Sequence, residues 1–174
     1  VGTNFSLTNT KSDRIGVENN TFAPLTSSSL QLPYVQPRDA NGAFVNTGFI
    51  QNVVAIEALN ANEFKSRRTI GNVFAEFRLI DNLKFKTDWG IDDVQTEERT
   101  RTVDLLSPGG AASRTVQQDQ KWLSTNTLTF DKKIGNHFVG ALAGQSIERA
   151  DFDAIQVAAT GFASDRLPNV GSGS

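Results

Sequence analysis

Cysteine and methionine are absent from the 174 residues, and histidine occurs once, at His137. Without cysteine there is no disulfide scaffold, no thiolate metal site and no thiol redox centre. With one histidine and no Ser/Asp arrangement around it, a catalytic triad has no material, and His137 reads as a rim residue. The lack of methionine indicates that the chain does not begin at an initiator. No charged segment followed by an apolar one opens the chain, so any signal peptide is expected upstream or already removed. Long apolar runs are missing as well: the longest uncharged, largely apolar stretch covers 138–144, against about 20 residues for a membrane-spanning helix. A membrane crossing by this chain would use strands. Seventeen basic residues against 19 acidic ones give a formal net charge of −2, which leaves no electrostatic footprint for nucleic acid.

What is present suits sheet. Twelve Phe, two Trp and many Val, Ile and Thr can bury area when strands gather them on one face, although mean hydropathy is only −0.31. From Leu83 to Asp92 the alternation is strict. Leu83, Phe85, Thr87, Trp89 and Ile91 fall on one face, and Lys84, Lys86, Asp88 and Asp92 on the other. Upstream, Gly71, Val73, Ala75, Phe77 and Leu79 share a face opposite Asn72, Phe74, Glu76 and Arg78. Ile80-Asp81-Asn82 joins the two runs. A three-residue loop sets Phe77 against Phe85, whereas a two-residue turn would set Phe77 against Lys86 and mix the faces.

A second hairpin is expected from about 121–130 and 137–149, joined by the six residues Asp131 to Asn136. Leu128, Phe130, Phe138 and Leu142 have matching parity there. Another strand covers about 3–11, where Phe5 and Leu7 alternate with polar residues. The fold class is all-β: an antiparallel meander of about five long strands, near 3–11, 68–79, 83–98, 121–130 and 137–149, in one partial domain over 1–174. Long loops near 12–63 and 103–120 are rich in Ser, Asn, Gly and Pro, as in Thr26-Ser27-Ser28-Ser29 and Ser107-Pro108-Gly109-Gly110. A short helix is expected over 49–59. Short turns at one rim and long loops at the other characterise bacterial outer-membrane barrels. A ten-residue run matches the ~9–11 residues of a tilted transmembrane strand, so Val73, Phe77, Leu83, Phe85, Trp89 and Ile91 are expected to face lipid.

Other chemistry is thin. Asp92-Asp93 and Glu97-Glu98 could supply two carboxylates for glycoside hydrolysis, but neighbours on one strand point to opposite faces, which favours a solvated strand extension. Asp151-Phe152-Asp153 begins like a calcium loop and lacks its glycine and distal glutamate. Neither a metal site nor a cofactor is expected. The basic cluster Lys65, Arg67 and Arg68 could meet anionic headgroups or be a plain solvated rim. Loop aromatics Phe22, Tyr34 and Phe44 could stack on a ligand or on their own loop. Asn19-Asn20-Thr21 matches a glycosylation acceptor, which means little in a bacterial chain.

Taken in order, several short strings resemble a known family. They are Asn4-Phe5-Ser6-Leu7, Lys11-Ser12-Asp13-Arg14, Gln31-Leu32-Pro33-Tyr34 and Asp39-Ala40-Asn41-Gly42. Then come Asn52-Val53-Val54-Ala55, Arg68-Thr69-Ile70-Gly71-Asn72, the run from Leu83 to Asp92, Asn126-Thr127-Leu128-Thr129-Phe130 and Ala143-Gly144-Gln145-Ser146. The series is similar to the barrel of SusC/RagA-type TonB-dependent outer-membrane transporters. The resemblance implies a barrel of about 22 strands with a plug inside, a SusD-like surface lipoprotein over the long loops, and import of glycan or peptide fragments driven through TonB. It implies a location in the bacterial outer membrane, contact with outer-membrane lipid, no enzyme activity, and an internal barrel fragment truncated at both ends. Substrate or lid contact falls to Tyr34, Arg38 and Phe44. Two other readings compete: a soluble all-β carbohydrate-binding module, which needs no detergent, and a β-rich glycosidase, which needs two carboxylates facing each other at ~5–9.5 Å.

Overall fold

The computed structural model describes residues 1–14, 23–48, 50–167 and 169–174. Strands β1 (Gly2–Asp13), β2 (Ala61–Ile80), β3 (Leu83–Thr102), β4 (Ala111–Ile134) and β5 (His137–Thr160) form one antiparallel sheet in chain order. The expected all-β meander is therefore the fold. Helices α1 (Pro24–Leu30) and α2 (Val53–Leu59) occupy the connection from β1 to β2.

β2 through β5 each run 20 to 24 residues, well beyond the stretches of clean alternation. β2 starts at Ala61 rather than near 68, β4 starts at Ala111 rather than near 121, and β5 continues to Thr160. The reason is visible in the pairing. In β2, β3 and β4 both faces beyond the apolar run are largely polar, so hydrophobic periodicity vanishes while the ladder continues; β5 extends through the more apolar 154–159. Gln118 donates to Asp93 at 3.1 Å and Arg114 meets Glu97 at 2.8 Å across β3 and β4. At about 3.3 Å per residue, 20 residues extend to roughly 66 Å, twice the ten-residue alternating run.

The two turns differ. Across β2 and β3, side chains in contact have numbers of the same parity: Phe77 stacks on Phe85 with ring centroids 6.4 Å apart, Asn72 donates to Asp88, and Arg68 to Asp92. Facing residues share a side of the sheet, so this is the face sharing of the three-residue loop, with Phe77 and Phe85 together. Across β4 and β5 the parity is opposite. Thr125 meets Ser146 at 3.2 Å, and a Cβ on Gly144 would touch Thr127. The six-residue connection from Asp131 to Asn136 is thus corrected: β4 runs to Ile134 and only Gly135-Asn136 turns. Gly135 sits at φ 60°, the left-handed value that two-residue hairpin turns require and that Gly and Asn tolerate. As a consequence Phe138 and Leu142 lie on the opposite face from Leu128 and Phe130.

Because the chain has no cysteine, the first register can be read chemically. Phe77→Cys with Phe85→Cys is expected to lose two hydrogens on mild oxidation, measured by mass spectrometry. Phe77→Cys with Lys86→Cys is expected to stay reduced, since those Cβ atoms point to opposite faces. The reverse outcome would show a one-residue slip.

The first connection holds more structure than its composition suggests. Thr26-Ser27-Ser28-Ser29, read as loop, lies in α1. Pro24 supplies a preset φ at its start, and Ser28 and Ser29 donate back to the Leu25 carbonyl at 2.8 and 3.0 Å. The helix expected over 49–59 is α2, opened by Asn52; Phe49, like Phe22 and the Asn19-Asn20-Thr21 acceptor, lies outside the described residues.

The chain divides into two compact units. Residues 1–9, 66–95 and 117–153 form one, which contains both short turns. Residues 10–65, 96–116 and 154–174 form the other, which contains the long connections and both helices.

Candidate functional site

In the first unit the contacts sort the side chains of all five strands onto two faces. One carries Phe5 and Leu7 of β1, Val73, Ala75, Phe77 and Leu79 of β2, and Leu83, Phe85, Trp89 and Ile91 of β3. Trp122, Leu128 and Phe130 of β4 and Val139, Ala143 and Ile147 of β5 complete it. Trp89 and Trp122 stack at 6.3 Å, and the position of Gly71 is filled from the side by Phe5. Much of this surface is open: Phe5 is 71% exposed, Trp89 52% and Phe77 50%. Along each strand the apolar run gives way to polar side chains, at Asn9, Thr69, Asp93, Gln120 and Arg149. Soluble monomers rarely expose so continuous an apolar patch. A polar boundary that crosses all five strands is what a bilayer edge demands. The residues expected to face lipid (Val73, Phe77, Leu83, Phe85, Trp89 and Ile91) therefore share this single face.

The other face is polar and laced together. Asn4 donates to the Asn72 amide oxygen at 3.1 Å, Asn72 donates to Asp88 at 3.3 Å, and Arg68 forms a two-point pair with Asp92 at 2.9 and 2.6 Å. Two parallel bonds suit the planar guanidinium. Gly90 leaves a hollow of about 460 Å³ among Asn4, Asn72, Asp92, Lys121 and Glu148. This face is not uniformly polar, for Phe74, Phe138 and Leu142 also stand on it.

The second unit is organised around Asn52, which is 1% exposed. Its amide nitrogen donates to the carbonyls of Pro37 and Val45 at 2.6 and 2.9 Å. Its oxygen accepts from the backbone N–H groups of Val54 and Ala55, capping α2. One side chain thus fastens the 37–45 loop to the helix. Beneath it, Ala55 and Ile56 pack on Val103 and Leu106, with Phe44 and Leu105 against them, and Gln51 donates to the Leu106 carbonyl. Composition alone did not mark Asn52 as structural; the signal available was an Asn immediately ahead of a short helical stretch.

Of the three candidate contact residues, two come together. Arg38 lies over the Phe44 ring at 3.7 Å, bridges Phe44 through its backbone, and donates to the Gly42 carbonyl. Both are engaged by their own loop. Tyr34 stands apart and is 76% exposed.

Adjacent carboxylates take different partners. Asp92 pairs with Arg68 and Asp93 with Gln118; Glu97 holds Arg99 and Arg114, while Glu98 holds Arg14. None of these pairs converges on a shared cleft. Asp151 is inside β5, bonded to Arg149 at 2.9 Å, so the calcium-loop reading of 151–153 is replaced by an extended strand. Beyond the apolar run, Glu63 receives Lys11 at 2.6 Å and Lys65 at 3.2 Å. The hydrogen bond from Lys11 holds the Glu63 carboxyl below the usual carboxylate range. Among the described residues no helix is long and apolar enough to cross a membrane, which says nothing of crossing by strands.

No protein-family model matches the chain. It is similar to two TonB-dependent receptors of Formosa agariphila. One is 26% identical over 122 residues, 68% of this chain, and the other 25% identical over 122 residues, 66% of this chain. The chain spans 12% of the length of each. Among solved structures, it is similar to the RagAB peptide importer in its 'open-open' state, with a TM-score of 0.72 and 23% identity, covering 99% of this chain and 20% of that one. The 'closed-closed' state gives a TM-score of 0.72 at 21% identity, over 99% of this chain and 21% of the other. In sequence the chain is similar to TonB-dependent receptors, and its fold is that of a segment of the RagAB importer.

Proposed function

We propose that the protein carrying this chain is an outer-membrane importer of glycan or peptide fragments, driven through TonB, and that the chain forms part of its barrel wall. The observation that carries the reading is the exposed apolar face that runs across five strands, opposite a polar one. Val73, Phe77, Leu83, Phe85, Trp89 and Ile91 meet lipid, while Arg68, Asn72, Asp88 and Asp92 line the lumen. Barrel strands alternate in this way because every backbone group must be paired inside the membrane while alternate side chains meet lipid and water. The adjacent carboxylates Asp92 and Asp93, and Glu97 and Glu98, are engaged in separate contacts, which favours a wall over a hydrolytic cleft. The similarity to transporters supports the same conclusion.

A SusD-like surface lipoprotein is the partner we infer for the long connections, with Tyr34, Arg38 and Phe44 as the residues that touch substrate or that lid. Arg38 and Phe44 hold the loop in shape, which leaves Tyr34 as the side chain offered outward. In the full-length transporter, Tyr34→Ala is expected to lower uptake of labelled oligosaccharide or peptide without reducing the amount of assembled barrel in the outer membrane. Arg38→Ala and Phe44→Ala are expected to lower uptake by loosening the loop, with greater susceptibility to added protease. Unchanged uptake in all three variants would leave the loop with a structural role only.

A further inference from the structure

We infer that the second unit carries a binding site for a phosphate monoester, built on Arg99, Arg101 and Arg114. All three line a concavity of about 800 Å³, together with Glu63 and Asp165. Arg101 is 7% exposed, an unusual depth for a charged side chain. Its Nη1 donates to the carbonyls of Thr102 and Ala111, its Nη2 reaches Asp165 at 3.4 Å, and its plane lies 4.0 Å over the Phe162 ring. Its Nε–H is buried without a hydrogen-bond partner. Gly110 makes room for it, since a Cβ there would fall 2.7 Å from Nη1. A buried guanidinium so placed costs desolvation that a single long contact to Asp165 offsets poorly.

Arg99 and Arg114 are arranged differently. One oxygen of Glu97 accepts from Arg99 Nε and pairs with Arg114 Nε at 2.8 Å. That single carboxylate orients two guanidinium groups and leaves their Nη atoms without a protein partner among the described residues. Paired guanidinium forks with terminal nitrogens free are the geometry that grips a phosphate from two sides. Charge agrees. Lys11 and Lys65 hold Glu63, so five cations stand with the three carboxylates Glu63, Glu97 and Asp165. The surplus of two positive charges matches a phosphate monoester, which carries about −1.5 to −2 at pH 7. A carboxylate ligand would bring only half that charge to a wall that already holds two of its own kind, Glu63 and Asp165.

Two sources could present such a group: the headgroup of a phosphorylated lipid, or a soluble phosphorylated ligand. Arg99 on β3 and Lys65 on β2 have the parity of Trp89 and Phe77 on those strands, so on the barrel reading proposed above they face outward, which favours a lipid headgroup. The source, not the site, rests on that reading.

The test uses the full-length protein, delipidated in neutral detergent and titrated with three probes: inorganic phosphate, micelles containing phosphatidic acid, and micelles containing phosphatidylcholine. Saturable binding of phosphatidic acid, with none of phosphatidylcholine, is expected. It should weaken at least about tenfold in R99Q/R114Q, since each lost charge-assisted bond is substantial. R99K/R114K keeps the charge and the fold but loses the forks, and an intermediate loss is expected. Arginine-dependent binding of inorganic phosphate without phosphatidic acid would keep the site and overturn its outward placement. No saturable binding of either phosphate probe, or equal binding by all variants, would overturn the site.

Discussion

Arg in place of Phe85 is expected to destabilise the assembled barrel, by about 2–4 kcal/mol at midplane depth, while Arg in place of Lys86 is expected to be mild. The two positions are neighbours on β3 with opposite surroundings. Phe85 stacks on Phe77 within the apolar face, inside the run between Leu83 and Ile91. Lys86 is on the polar face, 3.9 Å from Asp88 and over the Phe74 ring at 5.2 Å. A guanidinium at Phe85 would have to remain in hydrocarbon or drag water and headgroups toward it. At Lys86 it would replace one cation by another among existing polar partners. Reversible unfolding in lipid vesicles, followed by tryptophan fluorescence, measures both costs. Equal costs would mean that the two faces do not meet different solvents.

Asn52→Ala is expected to have the second-largest effect, confined to the second unit. The substitution strands the carbonyls of Pro37 and Val45 and removes the cap of α2 at once. A buried polar group left unpaired costs about 1–3 kcal/mol and a lost cap about 1 kcal/mol. A total loss on the order of 3 kcal/mol would release the 37–45 loop from the helix. Hydrogen exchange should show fast exchange over 37–59 with β2 and β3 unchanged beyond Ser66. Asn52→Asp separates the two roles, because a carboxylate keeps the acceptor for the cap and loses both donors. It is expected to preserve exchange protection at Val54 and Ala55 while the loop loosens. Slow exchange over 37–59 in Asn52→Ala would contradict the assigned role.

How far the sequence could be read follows from where periodicity exists. Leu83 to Ile91 alternates because one side meets apolar surroundings and the other polar ones, so strand, face and register were all legible there. The same strand continues to Thr102 through Glu97, Arg99 and Arg101, where both faces are polar and no alternation signals pairing. The second hairpin failed on local chemistry. The Gly135-Asn136 pair was present as a turn signal but was absorbed into a longer polar connection. Since either length is even, facing residues differ in parity, and the matching parity of Phe138 and Leu142 with Leu128 and Phe130 puts them on opposite faces. In the long connections, α1 has a serine run that favours loop by propensity and is held helical by its Pro24 start and backbonding hydroxyls. The arginines of the second unit were invisible as a group, since Arg99, Arg101 and Arg114 are brought together only by pairing β3 with β4.

The central claim is that odd-numbered residues of β2 and β3 meet lipid and even-numbered ones meet water. A nitroxide scan of the full-length protein in lipid vesicles tests it most directly. Single labels at 71–79 and 83–91 would be compared for collision with oxygen, which partitions into lipid, and with a water-soluble nickel chelate. The account predicts a period of two, with oxygen favoured at Val73, Phe77, Phe85 and Trp89 and the chelate at Asn72, Glu76, Lys86 and Asp88. Equal access of the chelate to both sets, or the opposite phase, would contradict it.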